Sequence, residues 1–355
     1  MVRRQLQQLR GVAGRYRRRA RHFAENSFLA GRRFTPPRIP TSLPGSLWAV
    51  TTFFNPAGYQ NKIDNYRRFR ASLARQGVPL LTVELAFGDD AHVLADSDAE
   101  LLIRHRTDTV LWHKERLLNI GIEALPDDCD KIAWVDADLL FKNDRWAIET
   151  TEKLEQYVVV QPYEHVVRLP YAQLDCDVGQ LNFGWRESEC FSSMANAILG
   201  QRFWKRFEYI FTMHGHCGFA WSARRSFLRE HQLYDRHLLG NGDQSIALAF
   251  YGAVAGWNSQ RLNTKAQDHI DAWARQVTAF ARGSVSYTPG LLLHLWRGSH
   301  SDRQYDTPLR VLHQCSFDPE QDLGIDEAGL LHWTSDKPEL HRWCERYFHT
   351  RREAG

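Results

Sequence analysis

KIAWVDADLLF, residues 131–141, sets one apolar run, Ile132, Ala133, Trp134 and Val135, against a second, Leu139, Leu140 and Phe141. Asp136 and Asp138 stand between them, one residue apart. Carboxylates rarely enter a core unpaired, because burying a charge without a partner is very costly. The pattern therefore predicts a buried strand that delivers two acids to the turn at its end.

The flanking sequence says what kind of sheet holds this strand. LWAVTTFF (47–54) reads as a buried strand ended by Asn55-Pro56 and Gly58. Tyr59, Ile63, Tyr66, Phe69 and Leu73 then recur at helical spacing until Gly77. LLTVELA (80–86) is strand, 111–125 helix with Leu117, Leu118, Ile120, Gly121 and Ile122 on or near its packed face, 144–156 helix, and YVVVQP (157–162) strand again. Strands alternating with helices predict an α/β fold, a mixed, mostly parallel sheet flanked by helices. Ligands of such sheets bind beyond the carboxyl ends of the strands, where Asp136 and Asp138 fall. Residues 162–213 read as an irregular, aromatic-rich region beside that edge.

Composition bounds the rest. The 355 residues are 43% hydrophobic and 25% charged, an ordinary balance for a globular chain of enzyme size. The net charge of +3 hides an asymmetry. Residues 1–40 hold eleven Arg, no Lys and one acid, Glu25, so the remainder is acidic by seven charges. Such an arm is a solvated terminus, a contact for nucleic acid or an anionic surface, or a presequence. FTPPRIPTSLPG (34–45) reads as a Pro-rich linker between arm and body. Cys129, Cys176, Cys190, Cys217, Cys315 and Cys344 form neither a CxxC pair nor a disulfide framework, which points to a reducing compartment. No run reaches the ~18 apolar residues of a membrane span. A soluble, cytoplasmic protein is expected, with its oligomeric state open.

Two carboxylates on one turn suit a hard divalent cation, which often also takes substrate phosphates. HKERLLNIGIEALPDDCDKIAWVDADLLF (113–141) resembles the nucleotide-sugar core of GT-A-fold glycosyltransferases, in which a helix with an Asn-x-Gly-Ile turn precedes a D-x-D strand. The resemblance implies that Lys114 and Asn119 lie near the nucleotide, that Asp136 meets ribose or metal, and that Asp138 binds the metal. HCGFAWSARRSF (216–227) resembles that family's glycine-aromatic strand and places His216, Gly218 and Trp221 beside the sugar or acceptor. LLGNGDQSIALAFYG (238–252) resembles its acidic loop, with Gly242-Asp243 where Glu-Asp is usual. Asp243 is then either the base or a cap on the helix that follows. LLLHLWRGSHSDRQY (291–305) sets His294 in an apolar strand. The family uses such a histidine as a third ligand for Mn²⁺ or Mg²⁺. Trp296 would join the sugar pocket, and Arg297, His300 and Arg303 would face a diphosphate.

The resemblance spans roughly residues 46–305, leaving 306–355 as a C-terminal extension packed on the domain. It implies a nucleotide-sugar donor, UDP above others, seated over strands 1 and 4 against Thr51, Thr52 and Phe53. The acceptor is open among a glycan, a protein, a small molecule and a hydroxymethylated nucleic-acid base. Two other readings stand beside it. His214 and His216 form an H-x-H that, with Asp136, Asp138 and His294, would make a metallohydrolase site. A non-catalytic binding protein using the basic arm is the other. No P-loop or G-x-G-x-x-G opens a helix, so phosphate cradles of those types are not supported.

Overall fold

A computed structural model describes residues 34–177, 190–200, 215–238, 240, 242–254, 262–299 and 307–353. The basic arm up to residue 33 lies outside them, as do His214, His300 and Arg303.

In chain order the elements are β1 (Ser46–Phe54), α1 (Gln60–Arg75), β2 (Leu80–Phe87), β3 (Leu101–Thr107), α2 (Lys114–Glu123), β4 (Cys129–Val135), β5 (Leu139–Phe141) and α3 (Trp146–Leu154). Next come β6 (Val159–Gln161), β7 (His165–Arg168), β8 (Cys190–Ser193), α4 (Met194–Gly200), β9 (Gly215–His216), β10 (Ala220–Arg224), α5 (Arg225–His231) and α6 (Gly242–Phe250). Last are α7 (Thr264–Ala281), β11 (Val285–Tyr287), β12 (Leu291–His294), α8 (Thr307–Gln314), β13 (Leu323–Ile325), β14 (Leu331–Trp333) and α9 (Pro338–Thr350).

Seven strands form the main sheet in the order β11-β6-β10-β4-β1-β2-β3. β1 pairs parallel with both β2 and β4. β10 alone runs antiparallel, between β4 and β6. Apart from the edge strand β3, the sheet is buried on both faces, which explains why its strands read as near-continuous apolar runs. Alternation still sorts the side chains. Val50, Leu81, Ile132 and Trp134 pack on one face against Leu117, Leu118 and Ile122 of α2 and Phe227 of α5. Ala49, Leu80, Ala133 and Val135 pack on the other, with Phe69 and Leu73 of α1 and Trp146 of α3.

A second sheet, β5-β12-β7-β8-β9, stands beside the first. Two of its strands, β7 and β8, and α4 fall in the stretch expected to be irregular. Both strands are four residues long, too short for a pattern of alternation to show.

The Pro-rich stretch is not a free linker. Its first described residues run along the domain, where Ile39 N–H donates to Gln156 O and Thr41 N–H to Glu155 O, both at 2.8 Å. Two buried cations complete the fastening. Arg224 reaches Ile39 O, Thr41 Oγ1 and Leu154 O, and Lys131 Nζ reaches Leu43 O at 2.7 Å and Gly45 O at 2.6 Å. Prolines keep this segment out of a ladder, so its carbonyls are left for side-chain donors.

Beyond the main sheet, Leu340, Cys344, Tyr347 and Phe348 of α9 join the same core as α2 and α6. Among the described residues no helix is long and apolar enough to cross a membrane.

Candidate active site

β1 and β4 run in the same direction, so their carboxyl ends open on one pocket. Thr52, Phe53 and Phe54 come to it from β1, and Asp136, Ala137 and Asp138 from the turn after β4. The turn is pinned at both ends. Asp136 N–H donates to Phe219 O at 2.8 Å, and Leu295 N–H donates to Asp138 O at 2.9 Å. Phe219 holds a left-handed backbone, φ 76°, a conformation that costs a bulky residue about 1–3 kcal/mol and gathers at functional sites.

Strand register brings the histidine in. β5 starts directly after Asp138 and pairs antiparallel with β12, Leu139 opposite His294. His294 Nε2 thereby stands 3.4 Å from Asp138 Oδ2. Arg297 follows β12 and turns back, its guanidinium 3.4 Å from Asp138 and 4.0 Å from Asp136.

Lys114, the first residue of α2, ties this turn to α6. Its Nζ lies 2.6 Å from Asp136 Oδ1 and 2.9 Å from Asp243 Oδ1. Asp243 is the second residue of α6, and its carboxylate reaches across to the lysine. Gly218 makes room for it: a Cβ there would meet Asp243 Oδ2 at 2.8 Å. Gly242 does the same for the buried carboxyl of Glu115.

These groups shift one another. Burial works against the charge on Lys114, but Asp136 and Asp243 outweigh it and hold the ammonium charged. Burial raises Asp243 above the usual carboxylate range, with Lys114 pulling the other way. Burial pushes Glu115 up to about 8. His294 is lowered to about 4, by burial first and Arg297 second, so it presents a neutral imidazole at pH 7. His216 is lowered for the same kinds of reason, burial and then Arg168. It accepts Gly218 N–H on Nδ1 at 3.1 Å and stacks on Phe219 at 3.9 Å, with His294 tilted on that ring at 4.8 Å.

The expected site residues thus divide. Thr52, Phe53, Lys114, Asp136, Asp138, Asp243 and Arg297 share the pocket. Three others are committed elsewhere. Thr51 is buried and donates its hydroxyl to Val135 O at 2.6 Å, fastening β1 to β4. Trp221 lies in the core, edge-on to Phe250, with its indole N–H on Cys217 O. Asn119, 2% exposed, both donates to Leu233 O and accepts from Leu233 N–H at 2.9 Å. It therefore staples α2 to the chain beyond α5. Asn119→Ala is expected to cost about 1–3 kcal/mol in a denaturant titration, because two buried backbone groups lose their partner, while nucleotide affinity stays unchanged. Trp296 stands at the rim, half-buried. Its carbonyl accepts from Asn61 and Asn65, and its ring meets the exposed Tyr171 at 4.9 Å.

The pocket also holds residues that the sequence reading passed over. Lys62 and Asn65 come from α1, Trp112 from the approach to α2, and Tyr347, Arg351 and Glu353 from α9 and its end. Lys62 and Asn65 sat among the polar positions of an amphipathic helix. Tyr347 had the helical spacing of a core residue. Burial lowers Lys62 to about 8, with Glu353 and Asp138 raising it and Arg351 and Arg297 lowering it further. Its positive charge is present below that value and lost above it. Affinity for a nucleoside diphosphate, measured by calorimetry over a pH series, should fall several-fold as pH rises through about 8. Lys62→Met should flatten that fall.

No protein-family model matches the chain, and no curated protein matches it either. Solved structures overlap with it slightly. Glucosyl-3-phosphoglycerate synthase from Mycobacterium tuberculosis, in complex with Mn²⁺, UDP and phosphoglyceric acid, is 12% identical over 84% of this chain and 91% of that one, with a TM-score of 0.37. The catalytic domain of Drosophila beta1,4galactosyltransferase 7 in complex with xylobiose is 14% identical, with a TM-score of 0.31. The match takes in 59% of this chain and spans 62% of that structure's length. S. aureus TarS gives 11%, 67% and 73% of the two chains, and 0.32. Overlap this slight assigns no activity, and the functional reading rests on the site itself.

A divalent cation fits part of this site. Asp138 offers a carboxylate and His294 a neutral imidazole close together, a donor pair suited to Mn²⁺. Asp136 is engaged by Lys114. Among the described residues no group of three or more His, Cys, Asp or Glu could hold a metal ion, so substrate oxygens would complete the shell. Charge balance points the same way. Lys62, Lys114, Arg297 and Arg351 offset Asp136, Asp138, Asp243 and Glu353, so an incoming diphosphate leaves the pocket net negative unless a cation accompanies it.

Proposed function

We propose that the chain is a GT-A-type glycosyltransferase, moving a sugar from a nucleotide-sugar donor, UDP-linked by preference, to an acceptor hydroxyl. The observation that carries this reading is Lys114. It joins Asp136, on the strand-end turn, to Asp243, at the start of a helix from the other side of the pocket. A site for an anionic leaving group and a candidate base thus share one cavity.

The diphosphate lies against Arg297 and Lys62, whose donors pair with its oxygens. Asp138 and His294, with Asp136 in support, would hold Mn²⁺ or Mg²⁺, which when bound supplies Lewis-acid stabilisation of the leaving diphosphate. Asp243 takes the proton of the acceptor hydroxyl as the sugar is transferred with inversion. Burial raises its pKa, which strengthens it as a base, and Lys114 beside it favours the ionised form. His216, Gly218 and Trp296 border the sugar and acceptor side. The acceptor is a hydroxyl on a glycan, a protein or a hydroxymethylated nucleic-acid base. The eleven arginines of residues 1–40 suit the last of these.

A panel of nucleotide sugars with Mn²⁺ tests this by release of free nucleotide. One donor should be consumed well above the others. No release from any donor, with either Mn²⁺ or Mg²⁺, overturns it.

A further inference from the structure

Two kinds of lining meet in the pocket. Charged groups gather around Asp138, Lys114 and Arg297. Aromatic rings form another wall. Phe54 meets Trp112 edge-on at 5.5 Å, Trp112 stacks on Phe348 at 6.0 Å and 13°, and Tyr347 lies edge-on to Trp112 at 6.3 Å. An ion pair lies beside these rings. Arg351 stands 5.2 Å over the Trp112 ring, and its Nε lies 2.7 Å from Glu353 Oε1. Both residues line the cavity although they are only 8% and 3% exposed. Three of the participants, Tyr347, Arg351 and Glu353, lie beyond the two main sheets in sequence.

Burying an ion pair costs more than packing apolar groups of the same volume. Flat rings beside a buried guanidinium and carboxylate make a slot for a planar ligand with a hydrogen-bonding edge. Within the reading proposed above, that ligand is the base of the donor. We infer that Arg351 and Glu353 read the edge of the nucleobase and set donor specificity. A carboxylate only accepts and a guanidinium only donates. The pair therefore suits a base that shows a ring N–H beside a carbonyl, as uracil and guanine do. Cytosine and adenine place a bare ring nitrogen, an acceptor, opposite the carboxylate, and meet the pair only by sliding along it until the exocyclic amine faces Glu353 and the ring nitrogen Arg351, a shift that a diphosphate anchored at Arg297 and Lys62 opposes.

Calorimetry of the full chain with UDP, GDP, CDP and ADP, each with Mn²⁺, tests the inference. Wild type should bind UDP or GDP at least about tenfold more tightly than CDP and ADP. Glu353→Gln, whose amide can donate to the bare ring nitrogen, should raise CDP affinity and erase most of the preference. Arg351→Lys, which keeps the charge but not the fork, should weaken UMP and UDP equally, because the loss is at the base. Equal affinity of wild type for all four nucleotides overturns the inference even if Glu353→Gln does not fold, and so does a preference that survives Glu353→Gln. If the preference is found but no nucleotide sugar is turned over, the transferase reading fails and this one stands. If none of the four binds, both fall.

Discussion

Asp243→Asn should keep the fold and the nucleotide affinity while sugar transfer falls about 10²–10⁴-fold, the usual contribution of a positioned base. The fold should survive because Lys114, the partner left behind, remains 2.6 Å from Asp136. A buried ammonium therefore keeps one carboxylate. The donor should still bind because Asp138, Arg297 and Lys62 are untouched. Removing one negative charge from the pocket would, if anything, favour an anionic ligand. The loss should consequently appear in kcat at nearly constant KM for the donor, the signature of an interaction made in the transition state. Transfer at the wild-type rate would reduce Asp243 to a residue that seats Lys114, and the inverting mechanism would lose its base.

Asp138→Ala should remove the dependence of nucleotide binding on divalent metal. UDP affinity in Mn²⁺ should drop by about two orders of magnitude, consistent with the several kcal/mol a bound cation supplies to a developing anion. In EDTA the variant and the wild type should then bind alike. The companion change His294→Ala separates two roles for the imidazole. A weakened Mn²⁺ requirement with an unchanged melting temperature marks a ligand. Loss of the fold marks a core residue, which its burial between Phe219 and β5 also allows. Equal UDP binding by wild type with and without EDTA would remove the metal from the mechanism.

Some of this was legible in the sequence because the determining physics is local. The run through Val135 had to be a strand and the two aspartates had to leave the core, so the turn and its place at a sheet edge followed. The resemblance to GT-A-fold glycosyltransferases points to Lys114, Asp243 and His294, and the structure sets Lys114 and Asp243 in the pocket and His294 3.4 Å from Asp138. Thr51, Asn119 and Trp221 looked equally suitable. What takes them away is a single backbone partner each, Val135 O, the Leu233 peptide and Cys217 O, and no sequence pattern reports such a bond. The aromatic wall of the pocket was illegible for a different reason. Phe54 and Phe348 touch across almost the whole domain, and an amphipathic helix far along the chain has the same pattern whether its rings fill a core or wall a cavity.

The pairing of β5 with β12 also limits how this chain can change in length. Neighbouring residues of a strand face opposite ways, so a one-residue slip sends a side chain to the other side of the sheet. An insertion between Gly290 and His294 would put a leucine opposite Leu139 or turn the imidazole away from Asp138. The stretches that connect these strands can lengthen or shorten at far smaller penalty, because closing a longer loop costs only slightly more. Length variants should therefore be tolerated in the largely exposed residues 170–177, and be inactive though folded when they fall within the four residues of β12.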